Sequence, residues 1–186
     1  MKFRHQEKLK GTIPPIDLTD RFTRRQFAAE YSQSAYEAML REERAVGYYL
    51  KAPSLQLKPA QRKGMIVLIE DLQRRRGYKL DSFYLAVSIA DHYLATMGRE
   101  GKPPPCLLTL AVTSLLIAAK IEEPHMPRFE NMTHLLRAEH GVDLSVDAVT
   151  DFEHTIMVAL DFQLRYTSPG HFLDRYQRLF ALDREA

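Results

Sequence analysis

Two oppositely charged residues in the C-terminal half stand where helices would present them: Lys120, closing an apolar run, and Glu153, inside an amphipathic one. An ammonium offers three donors and a carboxylate accepts several bonds, so together they could hold opposite polar groups of an approaching loop with charge-assisted strength. Each also has a plain structural use. Lys120 can complement a helix C-terminus, and Glu153 can remain solvated on a helix face. The remaining chemistry-bearing residues point away from catalysis. There is no nucleotide-binding glycine loop, no kinase catalytic-loop or metal-binding signature and no Ser-centred elbow, so neither an enzyme nor a cofactor is expected. The seven His residues are scattered without ligand spacing, which argues against a metal site. The one cysteine, Cys106, cannot form an internal disulfide. With 26 Lys and Arg against 24 Asp and Glu, the formal charge is +2 and no broad field draws phosphate backbones, so direct nucleic-acid binding is not implied. The one dense basic cluster, Arg74 to Arg76, reads as a solvated helix end.

The elements that must position these residues all read at a helical period. Residues 1–22 mix charges with Gly11, Pro14 and Pro15 and form an extended or mobile arm. Residues 23–47 carry Phe27, Tyr31, Ala35, Tyr36 and Met39 at spacings of three and four, an N-terminal helix. Pro59 opens the next helix through Met65, Ile66, Ile69 and Leu72, and Gly77 closes it. Asp81 or Ser82 can cap a third, striped with Phe83, Ala86, Val87, Ala90 and Leu94. The segment from Leu107 to Lys120 is apolar nearly all round, which only a helix surrounded by others can be. A shorter helix runs from about Arg128 to His140 before Gly141, another follows Ser145, and a last one begins at Pro169. No alternating segment reads as a strand. The apolar run from Cys106 to Ala119 falls short of the roughly 20 residues that span a bilayer, so no membrane is expected. No apolar run follows the basic N-terminus to make a signal peptide, and with one cysteine a reducing intracellular compartment fits best.

Three segments, in order and spacing, resemble the cyclin box. LAVSIADHYL, Leu85 to Leu94, is similar to the second box helix with its Asp. LLTLAVTSLLIAAKIEE, Leu107 to Glu123, resembles the third, ending in Lys and paired acids. DFEHTIMVALDFQL, Asp151 to Leu164, resembles the fifth, with its Glu at Glu153. The resemblance implies an all-α fold: a five-helix cyclin box over 56–166 around one buried central helix, preceded by the N-terminal helix and arm. It is followed at 167–186 by a trailing helix where a second cyclin fold would begin.

The resemblance also implies a regulatory subunit that binds and allosterically activates a cyclin-dependent protein kinase in cell-cycle control, located in nucleus and cytoplasm. By this likeness Lys120 and Glu153 bind backbone groups of the kinase segment leading into its regulatory helix. Ile121, Met157, Phe162 and Leu164 present apolar surface to the kinase, and Glu122 and Glu123 match the family's acidic pair. Arg62, 29 positions before Asp91, matches the family's buried structural ion pair. The substrate-docking patch of many cell-cycle cyclins, beginning MRAIL and followed by a Trp, aligns with Gln61, Arg62, Lys63, Gly64, Met65 and Leu68. The chain has no Trp, so docking of Arg-x-Leu substrates should be weak or absent. Two other readings are compatible with a helical domain: a cyclin-fold transcription factor that binds DNA or polymerase, and a kinase-independent adaptor that would have no use for Lys120 and Glu153.

Overall fold

A computed structural model describes residues 32–49, 57–125, 127, 129–164 and 166–183. The arm at 1–22 and the first part of the helix expected over 23–47 lie outside the described residues. Among these, every regular element is an α-helix: α1 (Ser32–Tyr49), α2 (Pro59–Arg76), α3 (Leu80–Arg99), α4 (Leu107–Glu122), α5 (Phe129–His140), α6 (Val146–Ala159) and α7 (Pro169–Asp183). The chain divides into two compact units, one comprising the described residues of Met1–Met39 and His171–Ala186, the other Leu40–Gly170.

The helices start and stop for local reasons. Pro59 occupies the first turn of α2, where its missing N–H is no loss, and Lys58 N–H donates to Gln61 Oε1 at 3.0 Å. Gly77 ends α2 with φ 66°, a left-handed conformation that frees its N–H for the Arg74 carbonyl. Arg74, Arg75 and Arg76 fill the last turn, where the helix dipole favours cations. Two of them are held by their own helix, Arg74 by Glu70 and Arg75 by Asp71 at 2.8 Å. Ser145 caps α6, its hydroxyl accepting from Ala148 N–H at 3.1 Å. The expected cap of α3 is different. That helix begins at Leu80, its N-cap residue is Lys79, and Lys79 makes no side-chain cap. Asp81 and Ser82 both lie inside the first turn.

In the larger unit α4 is the axis of the core. All ten residues from Leu110 to Ala119 are buried, and the helix packs against α2, α3 and α6. Met65, Ile69 and Leu72 face it from α2, and Leu85, Ile89 and Leu94 from α3. Met132 and Leu136 of α5 and Val149 and Ile156 of α6 complete the same cluster. Tyr93 and Phe152 meet edge to face, ring centroids 5.5 Å apart, joining α3 to α6. Thr113 and Ser114 are the polar exceptions, fully buried in α4 with hydroxyls that bond to no protein group.

Two polar contacts brace α3. Arg62 reaches Asp91 with both arms of its fork, Nε to Oδ1 at 3.0 Å and Nη2 to Oδ2 at 2.6 Å. Asp91 is buried, its side chain 3% exposed, whereas that of Arg62 is 39% exposed, so the strut is buried at one end only. The hydrogen bond to Asp91 raises the Arg62 pKa, against the opposing effect of burial. Next along α3, the His92 ring stacks on Tyr166 with centroids 4.0 Å apart and planes within 8°, and its Nδ1 lies 2.8 Å from the Ser88 carbonyl oxygen. Burial lowers the His92 pKa, and burial pushes Tyr166 up to about 12.

In the smaller unit, Tyr36 and Phe172 meet edge to face at 6.3 Å. The Arg175 guanidinium lies 4.4 Å from the Tyr36 ring centroid, and the Tyr36 and Tyr176 hydroxyls are 3.2 Å apart.

Replacing Arg62 by Ala strands a buried carboxylate. It should destabilise the chain by on the order of 2 kcal/mol, below the figure for a pair buried at both ends because water reaches the Arg62 side. Urea denaturation measures this, and a change under about 0.5 kcal/mol would mean the strut is idle. The His92 pKa gives a second test. A base whose folded pKa lies below its unfolded value contributes stability that is present above about pH 6.5 and is lost as pH falls through the folded pKa. Unfolding midpoints between pH 7.5 and 5 should therefore fall more steeply for the unmutated chain than for His92→Phe, which keeps a ring against Tyr166 but cannot titrate.

Candidate functional site

Lys120 lies in the last turn of α4, directly after the ten buried residues, so its stem leaves the core just where the helix reaches water. Glu153 lies in the middle of α6, whose register is set by the Ser145 cap and by burial of Val149 and Ile156. The two side chains meet. Lys120 Nζ donates to Glu153 Oε1 at 2.6 Å and Oε2 at 2.7 Å, a two-pronged contact between residues 33 apart in sequence. The Lys side chain is 37% exposed and the Glu side chain 15%. Glu153 is thus less open than a solvated helix face would leave it. The arrangement is a polar pair formed in the free chain, with a Lys donor and carboxylate lone pairs still to offer.

The other expected residues differ in how far they are open to solvent. Met157 follows Glu153 by one turn on α6 and is half-buried. Ile121 and Leu164 are partly buried and pack on the core, so each offers only part of its surface. Phe162, beyond the end of α6, is different, being 63% exposed, and Val158 near the end of that helix is 55% exposed. Val158 was not singled out in the sequence.

Phe162 owes its exposure to an unusual turn. Asp161 and Phe162 both adopt left-handed backbone, φ 50° and 55°. The turn is held by Phe162 N–H to the Met157 carbonyl and by Gln163 N–H to the Leu160 carbonyl, each 2.9 Å. Non-glycine residues pay for such a conformation unless surrounding bonds impose it.

The acidic pair that closes α4 is tied to the start of α3. The Glu122 carbonyl accepts from Lys79 Nζ at 3.0 Å. Glu123 Oε1 accepts from Lys79 N–H at 2.7 Å and from the buried Ser82 hydroxyl at 2.5 Å. Lys79 had no marked role in the sequence, and Ser82 was expected only as a possible cap of α3.

On α2, the residues aligned with the substrate-docking patch do not form one apolar surface. Met65 is buried in the core and Leu68 packs against it, while Gln61, Lys63 and Gly64 are exposed. At the far end of α4, Cys106 is exposed, and a hydrogen bond with Thr109 lowers its thiol pKa. No group of three or more His, Cys, Asp or Glu suited to a metal ion occurs among the described residues, and none of their helices is long and apolar enough to cross a membrane.

A buried helix ringed by four others, with a Lys at its exit paired to a Glu on the fifth, defines a cyclin-box fold. The family model of the cyclin N-terminal domain matches residues 30–165. The chain belongs to the cyclin family. It is 31% identical over 104 residues to the G2/mitotic-specific cyclin-B of Dictyostelium discoideum, a match covering 55% of this chain and 22% of that one. It is 25% identical over 159 residues to the S-phase entry cyclin-5 of Saccharomyces cerevisiae, covering 81% and 34%. With the putative cyclin-A3-1 of Arabidopsis thaliana the identity is 32% over 112 residues, covering 58% and 29%. The chain thus spans about a third or less of the length of these relatives.

Relieving the left-handed strain should be measurable. Asp161→Gly is expected to stabilise the chain by about 0.5 to 1 kcal/mol, the backbone gain less the added freedom of Gly in the unfolded state. Denaturant midpoints for the variant and the parent check this, with destabilisation as the contrary result.

Proposed function

We propose that this chain is a regulatory, non-catalytic subunit that binds a cyclin-dependent protein kinase and activates it allosterically. The observation that carries the reading is the Lys120–Glu153 pair, formed across two helices, with the exposed Phe162 following the same helix that carries Glu153. A polar pair beside apolar anchors is the composition of a stable protein interface. A flexible Lys that must be ordered on binding loses more entropy than one already held, so pairing in the free chain favours binding. Membership of the cyclin family supplies the partner class.

The mechanism follows from what kinase catalysis requires. The ion pair of the kinase's own Lys and Glu exists only when its regulatory helix is swung inward. A subunit that binds that conformer and not the other shifts the population toward it by its differential affinity. Lys120 would donate to carbonyls and Glu153 would accept from N–H groups of the segment leading into that helix, while Phe162 and Met157 cover its apolar side. Nothing in this scheme asks the chain to perform chemistry. Docking of Arg-x-Leu substrates through α2 plays no part, in keeping with burial of Met65 and exposure of Lys63 and Gly64.

The test combines the purified chain with a purified cyclin-dependent kinase subunit and follows phosphorylation of a peptide. Lys120→Ala, Glu153→Ala and the double variant should each weaken binding roughly thirtyfold or more, as expected when one member of a desolvated charge-assisted contact is truncated. The losses should not add, because both side chains hold one kinase segment. Lys120→Ala also leaves the half-buried Glu153 unpaired, so a modest fall in melting temperature should accompany it. Equal binding and activation by all variants would reject the kinase reading and favour an adaptor or a transcriptional role.

A further inference from the structure

The start of α3 poses a problem that its own residues do not solve. The first N–H groups of a helix lack partners within it, and the N-cap residue usually provides an acceptor. Lys79 holds that position and has no acceptor to give. The acceptor comes from 44 residues away, where Glu123 Oε1 takes the Lys79 N–H at 2.7 Å and the hydroxyl of Ser82 at 2.5 Å. In a capping box a Glu at the third helical position reaches back to the N-cap N–H. Here Ser82 holds that third position, and Glu123 acts in its stead from another helix. Its negative charge also sits at the positive end of the α3 dipole.

The same residue ends α4. Glu123 is its C-cap, with its N–H bonded to the Ala119 carbonyl at 3.0 Å, and the neighbouring Glu122 carbonyl accepts from Lys79 Nζ at 3.0 Å. The exit of α4 is therefore tied to the entry of α3 by three hydrogen bonds, within three residues of Lys120. Ser82 is fully buried, so one tie is anchored in the core.

We propose that Glu123 is a positioning residue for the kinase-binding site: it takes the part of the capping-box Glu for α3 from outside that helix, and through that tie it holds the α4 exit so that Lys120 stays in register with Glu153. This inference rests on the kinase-binding reading above. It gives Glu123 a place behind the interface and not in it, and it extends the site to Ser82 and Lys79, which touch neither member of the Lys120–Glu153 pair.

Four variants of the full chain separate the outcomes: Glu123→Ala, Glu123→Gln, Ser82→Ala and the Glu123→Ala/Ser82→Ala double. Each is assayed for affinity to a purified cyclin-dependent kinase subunit well below its melting temperature, with Lys120→Ala alongside. Amide hydrogen exchange of the free chain provides a readout independent of any kinase. Glu123→Ala should speed exchange in the first turn of α3 and the last turn of α4 and weaken kinase binding roughly tenfold, mainly through faster dissociation. Ser82→Ala should do the same to a smaller extent, and the double variant should match Glu123→Ala alone, because both side chains act through one tie. Glu123→Gln, which keeps an acceptor for the Lys79 N–H, should recover most of the affinity. Glu123→Ala that weakens binding while Ser82→Ala and exchange are unaffected would make Glu123 a direct contact and overturn the proposal. Faster exchange with unchanged affinity would reduce the tie to a fold contact and overturn it equally. If Lys120→Ala also binds normally, the kinase reading itself fails and this inference falls with it.

Discussion

A helix buried on every side leaves its neighbours little choice. From Leu110 to Ala119, α4 has no face for water, so amphipathic helices must surround it and each must turn its apolar stripe inward. The polar ends of α4 are then the only parts that can carry a side chain to the surface. Lys120 stands at one such end, and its position in space is as firm as the core behind it. The pairing with Glu153 follows, because α6 is held against α4 by Val149 and Ile156 on either side of that Glu.

The same constraint explains why so few polar contacts matter here. Thr113 and Ser114 keep unpartnered hydroxyls within α4, which a core made of well-packed apolar neighbours can tolerate at a cost of about 1 to 3 kcal/mol each. Asp91 is a charge and could not be left so. It enters the core only with the two-armed Arg62 beside it. Glu123 sits at the margin, where one oxygen serves two donors of another helix.

Much of this was legible in the chain. Pro59, Gly77, Gly141 and Ser145 mark ends that the structure places within a residue or two, because each acts on its own backbone. The all-round apolar character of 107–120 gave the centre of the core for the same reason, since burial of a helix is written in its own side chains. What was not legible depends on partners far along the chain. With Asp81 or Ser82 read as the cap, nothing local showed that α3 begins after Lys79 and needs an outside acceptor, and no local rule names Glu123 as that acceptor. The left-handed pair Asp161 and Phe162 escaped as well, because Asp only tolerates that conformation, Phe disfavours it, and the hydrogen bonds closing α6 impose it. Met65 belonged to the apolar period of its helix and also aligned with a docking patch, and its burial follows the period.

The lone sulfhydryl at the start of α4 has a practical side. Cys106 is exposed, is the single thiol in the sequence, and ionises more readily than usual. A maleimide dye would therefore attach at one defined point without any engineering of the chain. Fourteen residues of unbroken helix separate it from Lys120, about 21 Å at 1.5 Å per residue. The rigid rod between the two points fixes that separation. The chain thus carries its own attachment point for an optical ruler laid along the axis of its core.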